Sequence, residues 1–430
     1  MNNRFLIVIY LFVNINENCV LICPTVLWAS SNIPKSNSIE SVSSQIAAES
    51  SIGTWTGIYT LTSSIQKRLS PHVYSITKIS VKLHRIKIAY PIELFECGNI
   101  PQLLSAIAGN IFGMKILNSL KLENIYFPEK YIKSFKGPLH GIEGIRKITG
   151  VYNRPFVGTI IKPKVGLSAT EHAKLAYDAW IGGMDIVKDD ENLTNMTFNK
   201  LRDRIKKTLG QKRKAEQKTG EKKLYLANIT AEPLEMLKRL EYVKSLGGEA
   251  VMIDILTAGF GALQTLRNNS KGLIIHAHRA MHAAITRNPH HGISMLVIAK
   301  ISRIIGVDLL HIGTAVGKME GSESEVKVIF NEIEADKVEL DTLKENWSTI
   351  KPTLTVSSGG LHPAHIPELY KIFGTNAVYQ FGGGCHGHPK GTIAGAKAIR
   401  QALDASLSKI SLRKYAITHP ELAQAIKKWG

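Results

Sequence analysis

Gly183-Met184-Asp185-Ile186-Val187-Lys188-Asp189-Asp190-Glu191-Asn192 is a short apolar alternation that ends in a lysine and three consecutive carboxylates. Alternation of this kind reads as a strand. Three adjacent carboxylates are costly to pack unless something positive sits among them. Oxygen ligands at the C-terminal end of a strand suit a hard divalent cation such as Mg2+. A solvated acidic turn between a strand and a helix would be written with the same letters. The rest of the chain decides, because the arrangement of apolar strand, polar end and helix recurs eight times.

From Pro155 onward the spacing predicts strands at Phe156–Ile161, Met184–Lys188, Leu224–Asn228, Ala250–Asp254, Leu273–His276, Asp308–His311, Thr353–Ser357 and Ala377–Phe381. Amphipathic helices fall between them, for example at Ala169–Trp180, Pro233–Ser245, Ile293–Ile304 and Gly391–Ala405. Strands alternating with helices are the pattern of parallel βαβ units. Eight units over roughly 270 residues fit a closed (β/α)8 TIM barrel, with an open doubly wound sheet as the alternative.

A barrel carries its active site at the C-terminal ends of its strands. The residues that follow the strands are Lys162 and Lys164; Lys188, Asp190 and Glu191; Asn228; Asp254; His276, His278 and Arg279; His311; Ser358, Gly359 and Gly360; and Gly382, Gly383 and Gly384. A purely structural barrel has no need of charge or glycine at so many mouths. The glycine runs after the last two strands suit a phosphate held by backbone amides, although Gly-Gly-Gly alone is more often a turn. Arg279 with His311 forms a second candidate anion clamp. Two anion sites flanking one metal imply a bisphosphate. Gly313–Gly321 brackets Lys318 with glycines, the pattern of a mobile lid carrying a cation, or else of a plain surface loop. His278 and His282 lie four apart, but no HExxH glutamate accompanies them and a zinc site is set aside. His282 reads as structural, and His290, His291, His386 and His388 as loop or packing histidines.

The chain has 430 residues, enough for one large domain and a smaller one. Its 54 basic and 35 acidic residues give a net charge of +19, which suits an anionic partner: nucleic acid, an acidic membrane or a phosphorylated substrate. Eleven of the cations fall in residues 200–223, which read as an exposed helix and turn with a solvated basic face. No aromatic residue is interleaved there, against a stacking platform for single strands. The four cysteines form no CxxC pair, fitting a reducing, cytoplasmic compartment without disulfides. Residues 38–136 read as an α+β domain with a helix at Ser38–Glu49, a strand at Ile86–Tyr90, a helix at Ile100–Ile107 and a strand at Leu120–Ile125. Residues 1–37 belong to the same domain and hold two apolar runs, Phe5–Val13 and Val20–Leu27, read as buried strands or a divergent start in preference to a targeting segment. Neither is long enough to cross a bilayer. Residues 137–430 form the barrel domain.

From about Ser38 to the end, the chain resembles the large subunit of ribulose-1,5-bisphosphate carboxylase/oxygenase (RuBisCO). The segments GTIIKPKVGLS, GGMDIVKDDEN, HAHRAMHAA, HIGTAVGKMEG, VSSGGLHP and QFGGGCHGHP carry the likeness in the barrel, and IAAESSIGTWT and IAGNIFGMK carry it before the barrel. ENLTN, ITRNPHHGISM and the closing YAITHPELAQAIKKWG are most similar to the archaeal form III group. The chain departs from plant-type sequences at Ile160 and Ile312, which stand where those have Thr and Ser. The family's opening strand is not clearly written in residues 1–37.

The resemblance implies a (β/α)8 barrel preceded by a smaller ferredoxin-like α+β domain. It implies that CO2 carbamylates Lys188, so that carbamate, Asp190 and Glu191 hold Mg2+. Lys162 is then the acid/base, supported by Lys164. His278 orients the substrate and transfers protons, and Lys318 stabilises the carboxylate formed from CO2. Arg279, His311 and Ser358 bind one phosphate and the substrate backbone, and Gly359 also binds substrate. Thr54, Trp55, Gly360, Gly382 and Gly383 bind the other. Glu49, Thr54, Trp55 and Asn110 serve the partner subunit's site, so a homodimer or assembly of dimers is implied, with no small subunit. The implied substrates are ribulose-1,5-bisphosphate with CO2 or O2, and the implied role is salvage of ribose phosphate from nucleotides such as AMP. The competing readings are a RuBisCO-like enolase or isomerase acting on another phosphorylated ketose, a basic nucleic-acid-binding protein, and a folded but inactive chain. Retention of Glu49, Asn110, Lys318 and both clamps favours the carboxylase, and the carboxylate cluster disfavours nucleic acid.

Overall fold

The computed structural model describes residues 19–27, 38–54, 56–80, 83–316, 322–340 and 343–430. Trp55, Lys318 and the first apolar run, 5–13, lie outside them. The chain divides into two compact units, one made of 1–136, 281–305 and 335–350, the other of 137–280, 306–334 and 351–430.

The first unit is an α+β fold around a five-stranded sheet. Its central strand, Cys19–Leu27, pairs antiparallel with Leu83–Pro91 on one side and Ser119–Tyr126 on the other. The opening strand left unclear by the sequence therefore exists, and it is the second apolar run that forms it. The strand His72–Lys78 and the helix Ser63–Leu69, not foreseen from sequence, complete that side. Gly292 and Ile293 add a short parallel strand against Lys121 and Leu122. The helix expected at Ile293–Ile304 consequently begins later and spans Met295–Ile305. Fully buried Lys300 on this helix donates to Asn124 Oδ1 at 3.0 Å and pairs with Glu345. Through such contacts 281–305 and 335–350 join the N-terminal residues in one compact unit.

The second unit is the closed barrel. Its strands are β1 (Phe156–Ile160), β2 (Ile186–Lys188), β3 (Leu224–Asn228), β4 (Ala250–Asp254), β5 (Ile274–His278), β6 (Leu309–His311), β7 (Leu354–Ser358) and β8 (Ala377–Phe381). Each pairs in parallel with its sequence neighbour, and β8 closes on β1. Side chains such as Phe156, Ile186, Leu224, Met252, Leu309 and Val378 pack into one apolar cluster inside it. An apolar layer therefore fills the barrel at one level, and the titratable groups at its mouth gather at the strand ends.

Local sequence sets the helix boundaries. Ser168 and Glu171 form a reciprocal capping box that starts the helix Ala169–Ile181. Gly183, at φ 113°, turns the chain into β2, and a Cβ there would meet Arg400 Cγ at 2.5 Å. Among the described residues no helix is long and apolar enough to cross a membrane.

Most cations of the basic run are exposed, as expected, but three of them are not. The run forms the helix Leu201–Thr219, closed by Gly220 in a left-handed conformation. Arg204, Lys212 and Lys223 are buried, and each pairs with a carboxylate. Arg202, Lys206, Lys207, Arg213, Lys214, Lys218 and Lys222 remain exposed.

Candidate active site

The C-terminal end of β2 places Lys188, Asp189, Asp190 and Glu191 at the barrel mouth, where the first three are almost wholly buried. Lys188 Nζ donates to Asp189 O at 2.7 Å and lies 3.6 Å from Glu191 Oε2. Burial pulls the Lys188 pKa below that of an ordinary lysine, although Glu191, Asp190 and Asp254 work the other way. A lysine held in this way reaches its neutral, nucleophilic form more readily than an exposed one.

The two outer carboxylates are each met by a lysine that follows β1. Lys162 Nζ donates to Asp190 Oδ2 at 2.7 Å, and Lys164 Nζ lies 3.4 Å from Glu191 Oε1. Burial opposes the charge on Glu191, yet Lys188 and His278 hold its carboxyl down to about 2. Asn228, at the end of β3, ties the acidic turn down through its side-chain amide, which donates to the carbonyls of Asp190 and Glu191 at 3.2 and 3.1 Å.

Asp189 points away from its neighbours into a buried network. Its carboxylate accepts from Arg204 Nε at 3.0 Å, from Tyr225 Oη at 2.7 Å and from the Asn228 amide at 3.0 Å. His172 Nε2 lies 3.1 Å from Asp189 Oδ1. Burial resists this charge, but Arg204, His172 and Tyr225 hold the Asp189 carboxyl well below the usual range. Sequence reasoning missed Arg204 and His172. A cation inside a basic run and a histidine inside an amphipathic helix carry no local signal of a partner in another element.

His278 ends β5. Its Nδ1 lies 2.8 Å from Asp254 Oδ1 at the end of β4 and 3.2 Å from the Ala280 backbone N–H; the shorter contact is to a carboxylate, which can only accept, and it places the proton on Nδ1. Nε2 is left facing the acidic turn, 3.6 Å from Glu191 Oε2. His276 and His311 share one hydrogen bond between their Nε2 atoms at 2.9 Å. Burial drives both pKa values well below that of free histidine, so the pair is neutral. Only Nδ1 of His311 then remains to meet a ligand. Arg279 makes no hydrogen bond or salt bridge among the described residues, and it runs past Gly313, where an added Cβ would lie 3.3 Å from its Nη2. Burial lowers its pKa to about 10, which Glu325 only partly offsets.

Ser358 ends β7, and Gly359 and Gly360 follow with φ of 137° and 72°, conformations that favour glycine. After β8, Gly382–Gly384 lead into a single helical turn, Gly383–His386. First-turn amides have no intrahelical acceptor and can receive an anion. A Cβ on Gly383 would meet nothing within 4 Å, whereas one on Gly384 would come within 2.2 Å of Leu361 O. The two glycine runs thus back onto each other. A Cβ on Gly382 would lie 3.1 Å from Lys162 Cε, which puts this loop beside the acid/base candidate.

Glu49 and Asn110 meet in the first unit, where Asn110 Nδ2 donates to Glu49 Oε1 at 3.2 Å. With Thr54, Gln45 and Lys115 they line a hollow of about 770 Å3. Trp55 and Lys318 fall outside the described residues.

Among the described residues no group of three or more His, Cys, Asp and Glu side chains is arranged to hold a metal. The donor set at the mouth is two carboxylates and one buried lysine. It fits a hard divalent cation once Lys188 carries an anionic oxygen, because CO2 on its amine supplies the third oxygen ligand.

A family model described as ribulose bisphosphate carboxylase large chain, catalytic domain, matches residues 141–429, and one for the N-terminal domain of the same chain matches residues 28–131. The ribulose bisphosphate carboxylase of Methanocaldococcus jannaschii is 50% identical over 422 residues, covering 96% of this chain and 97% of that one. The dimeric archaeal Rubisco from Hyperthermus butylicus superposes with a TM-score of 0.90 at 42% identity, covering 96% of both chains. The octameric Rubisco from Pyrococcus horikoshii superposes with a TM-score of 0.88 at 44% identity, covering 96% of this chain and 93% of that one.

Proposed function

The chain belongs to the ribulose bisphosphate carboxylase large chain family, and on that premise we propose that it carboxylates ribulose-1,5-bisphosphate in a Mg2+-dependent reaction giving two molecules of 3-phosphoglycerate, with O2 as the competing substrate. The observation that carries the reading is the position of Lys188. Its amine is buried, its pKa is lowered by that burial, and it stands beside Asp190 and Glu191, where an anionic oxygen is the missing ligand. Asp190, Glu191 and carbamylated Lys188 would hold Mg2+, which when bound would supply positive charge to polarise the substrate's carbonyl and hydroxyl oxygens.

The protein's own groups do the rest. Lys188, as its carbamate, takes the proton from C3 of the substrate. Lys162, supported by Lys164, serves as acid and base near the substrate carbonyl, and its pairing with Asp190 is exchanged for substrate on binding. His278 presents Nε2 with its tautomer set by Asp254, and so orients a substrate hydroxyl and exchanges its proton. Arg279, the free nitrogen of His311, Ser358 and Gly359 receive one phosphate. The amides of Gly360, Gly382 and Gly383 receive the other, together with Thr54 and Trp55 from the partner subunit. Lys318 meets the carboxylate formed from CO2.

The dimeric and octameric relatives support an assembly built from dimers, in which Glu49, Thr54, Trp55 and Asn110 complete the partner subunit's site and no small subunit takes part. The similarity to archaeal enzymes supports a cytoplasmic role in salvaging ribose phosphate from AMP and other nucleotides. The test is to supply ribulose-1,5-bisphosphate, Mg2+ and labelled CO2 and to identify the products. Label in half of the 3-phosphoglycerate formed is the expected result. An isomerised sugar phosphate without label would replace this reading with that of an enolase or isomerase.

A further inference from the structure

His386 sits at the end of the helical turn that follows Gly382, in a place where a packing residue would suffice. Its contacts are directional. Thr159 Oγ1, on β1, donates to Phe381 O at 2.7 Å, so its oxygen is left to accept. His386 Nε2 lies 3.1 Å from that oxygen and therefore carries the proton that it donates. His386 Nδ1 then has a lone pair, and Thr392 Oγ1 lies 3.0 Å from it as the donor. The result is a chain of three hydrogen bonds running from Thr392 to His386, Thr159 and Phe381. Burial, with Lys162 as the second cause, lowers the His386 pKa to about 4, consistent with one neutral tautomer at physiological pH.

This chain joins three parts of the site. Thr159 lies three residues before Lys162 on the same strand and its exit. Phe381 immediately precedes the phosphate-binding glycines. Thr392 lies in the first turn of the helix Gly391–Leu407. The Gly382 backbone already lies against the Lys162 side chain, so a small slip of the glycine loop changes the spacing between its amides and the Lys162 amine. The β8–β1 ladder fixes register as far as the pair Phe381–Thr159 and stops there. Beyond it, the hydrogen bond from His386 to Thr159 ties the loop back to β1.

We propose that His386 is a positioning residue that locks the Gly382–Gly384 phosphate loop in register with β1, and so sets the distance between one substrate phosphate and Lys162. This rests on the phosphate role given above to Gly382 and Gly383. Neither Thr159 nor His386 touches substrate.

The experiment compares the full-length wild-type protein with His386→Leu, His386→Gln, Thr159→Val and the double variant Thr159→Val/His386→Leu. Steady-state kinetics with ribulose-1,5-bisphosphate, thermal melting, and calorimetric titration with inorganic phosphate are the readouts. His386→Leu is expected to raise KM roughly five- to tenfold, the scale of one lost buried hydrogen bond, with a smaller change in kcat. His386→Gln, whose amide can still donate to Thr159, is expected to recover most of the loss. The double variant should be no worse than the poorer single one. Unchanged KM in His386→Leu overturns the proposal, whether melting is unchanged or lowered. So does additivity of the two single effects. If His386→Leu does not fold, a rise in KM for Thr159→Val supports the proposal and its absence overturns it. If the wild type turns over no ribulose-1,5-bisphosphate, the functional reading fails separately. The phosphate titration then decides: weaker phosphate binding by Thr159→Val or His386→Leu supports the lock, and equal binding overturns it.

Discussion

Arg204 donates its Nε to Asp189 Oδ2 at 3.0 Å, and both side chains are fully buried. The same guanidinium reaches the Asn199 side chain and the carbonyls of Leu193, Thr194 and Asn199. One arginine from the basic helix therefore pins both ends of the loop that carries the acidic cluster. Asp189 is turned inward by this pairing, and Asp190 and Glu191 are left to face the mouth.

Removing Arg204 leaves the buried Asp189 carboxylate with only its Tyr225, Asn228 and His172 contacts, and breaking a buried ion pair costs ~3–5 kcal/mol in comparable sites. Arg204→Met should lower the denaturation midpoint of the protein sharply. It should also weaken Mg2+ binding, because the acidic turn loses its anchor. A midpoint unchanged from wild type would refute the anchoring role.

The two glycine loops make a paired steric prediction. Gly384→Ala places a methyl against Leu361 O and should destabilise the fold. Gly383→Ala meets nothing within 4 Å and should fold normally. Its methyl stands at the mouth, so KM for ribulose-1,5-bisphosphate should rise while the melting temperature stays put. Equal melting temperatures for the two variants would contradict the geometry.

Asp254 fixes the tautomer of His278 through the 2.8 Å contact with Nδ1. Asp254→Asn should lower kcat by about a hundredfold, the lower end of the range expected when a proton-transferring group is misset. Little change in melting temperature should accompany it. Wild-type kcat in this variant would remove His278 from proton transfer.

Acid should destabilise the protein in two stages. The folded pKa values of His362 and His386 are lowered by burial to about 4. Unfolding raises them to ~6.5, so the unfolded chain binds more protons below that pH, and stability present above ~6.5 is lost as pH falls toward 4. The carboxyls of Asp185 and Asp189 are depressed in the fold despite burial, the first by Arg154 and the second by Arg204. Their contribution is full above ~4 and is lost at still lower pH. Urea unfolding between pH 7 and 3 should show both stages, and His386→Leu should flatten the first. A stability that rises on acidification from 7 to 5 would contradict this assignment.

Much of the barrel was legible because its information is local. Alternation gave β3, β4 and β8 to the residue, and polar strand ends gave the mouth. Elements that depend on distant pairing were harder to read. His72–Lys78 is a half-exposed edge strand whose pairing with Leu83–Pro91 is not written in its own residues. Ile293 looked helical and instead extends a sheet, because Lys121 and Leu122 offer it a partner. The titratable groups at strand ends were found by position. The groups that hold them, Arg204, His172 and His386, were not, since a hydrogen-bond partner 15 or more residues away leaves no trace in spacing.

The central claim is that Lys188 binds CO2 as a carbamate. Carbon NMR of the full-length protein with 13C-labelled CO2 and Mg2+, with Lys188→Ala as the control, tests it without any turnover. The account predicts a protein-bound carbamate resonance that strengthens with Mg2+ and vanishes in Lys188→Ala. No resonance in the wild type, or an equal one in the alanine variant, would contradict it.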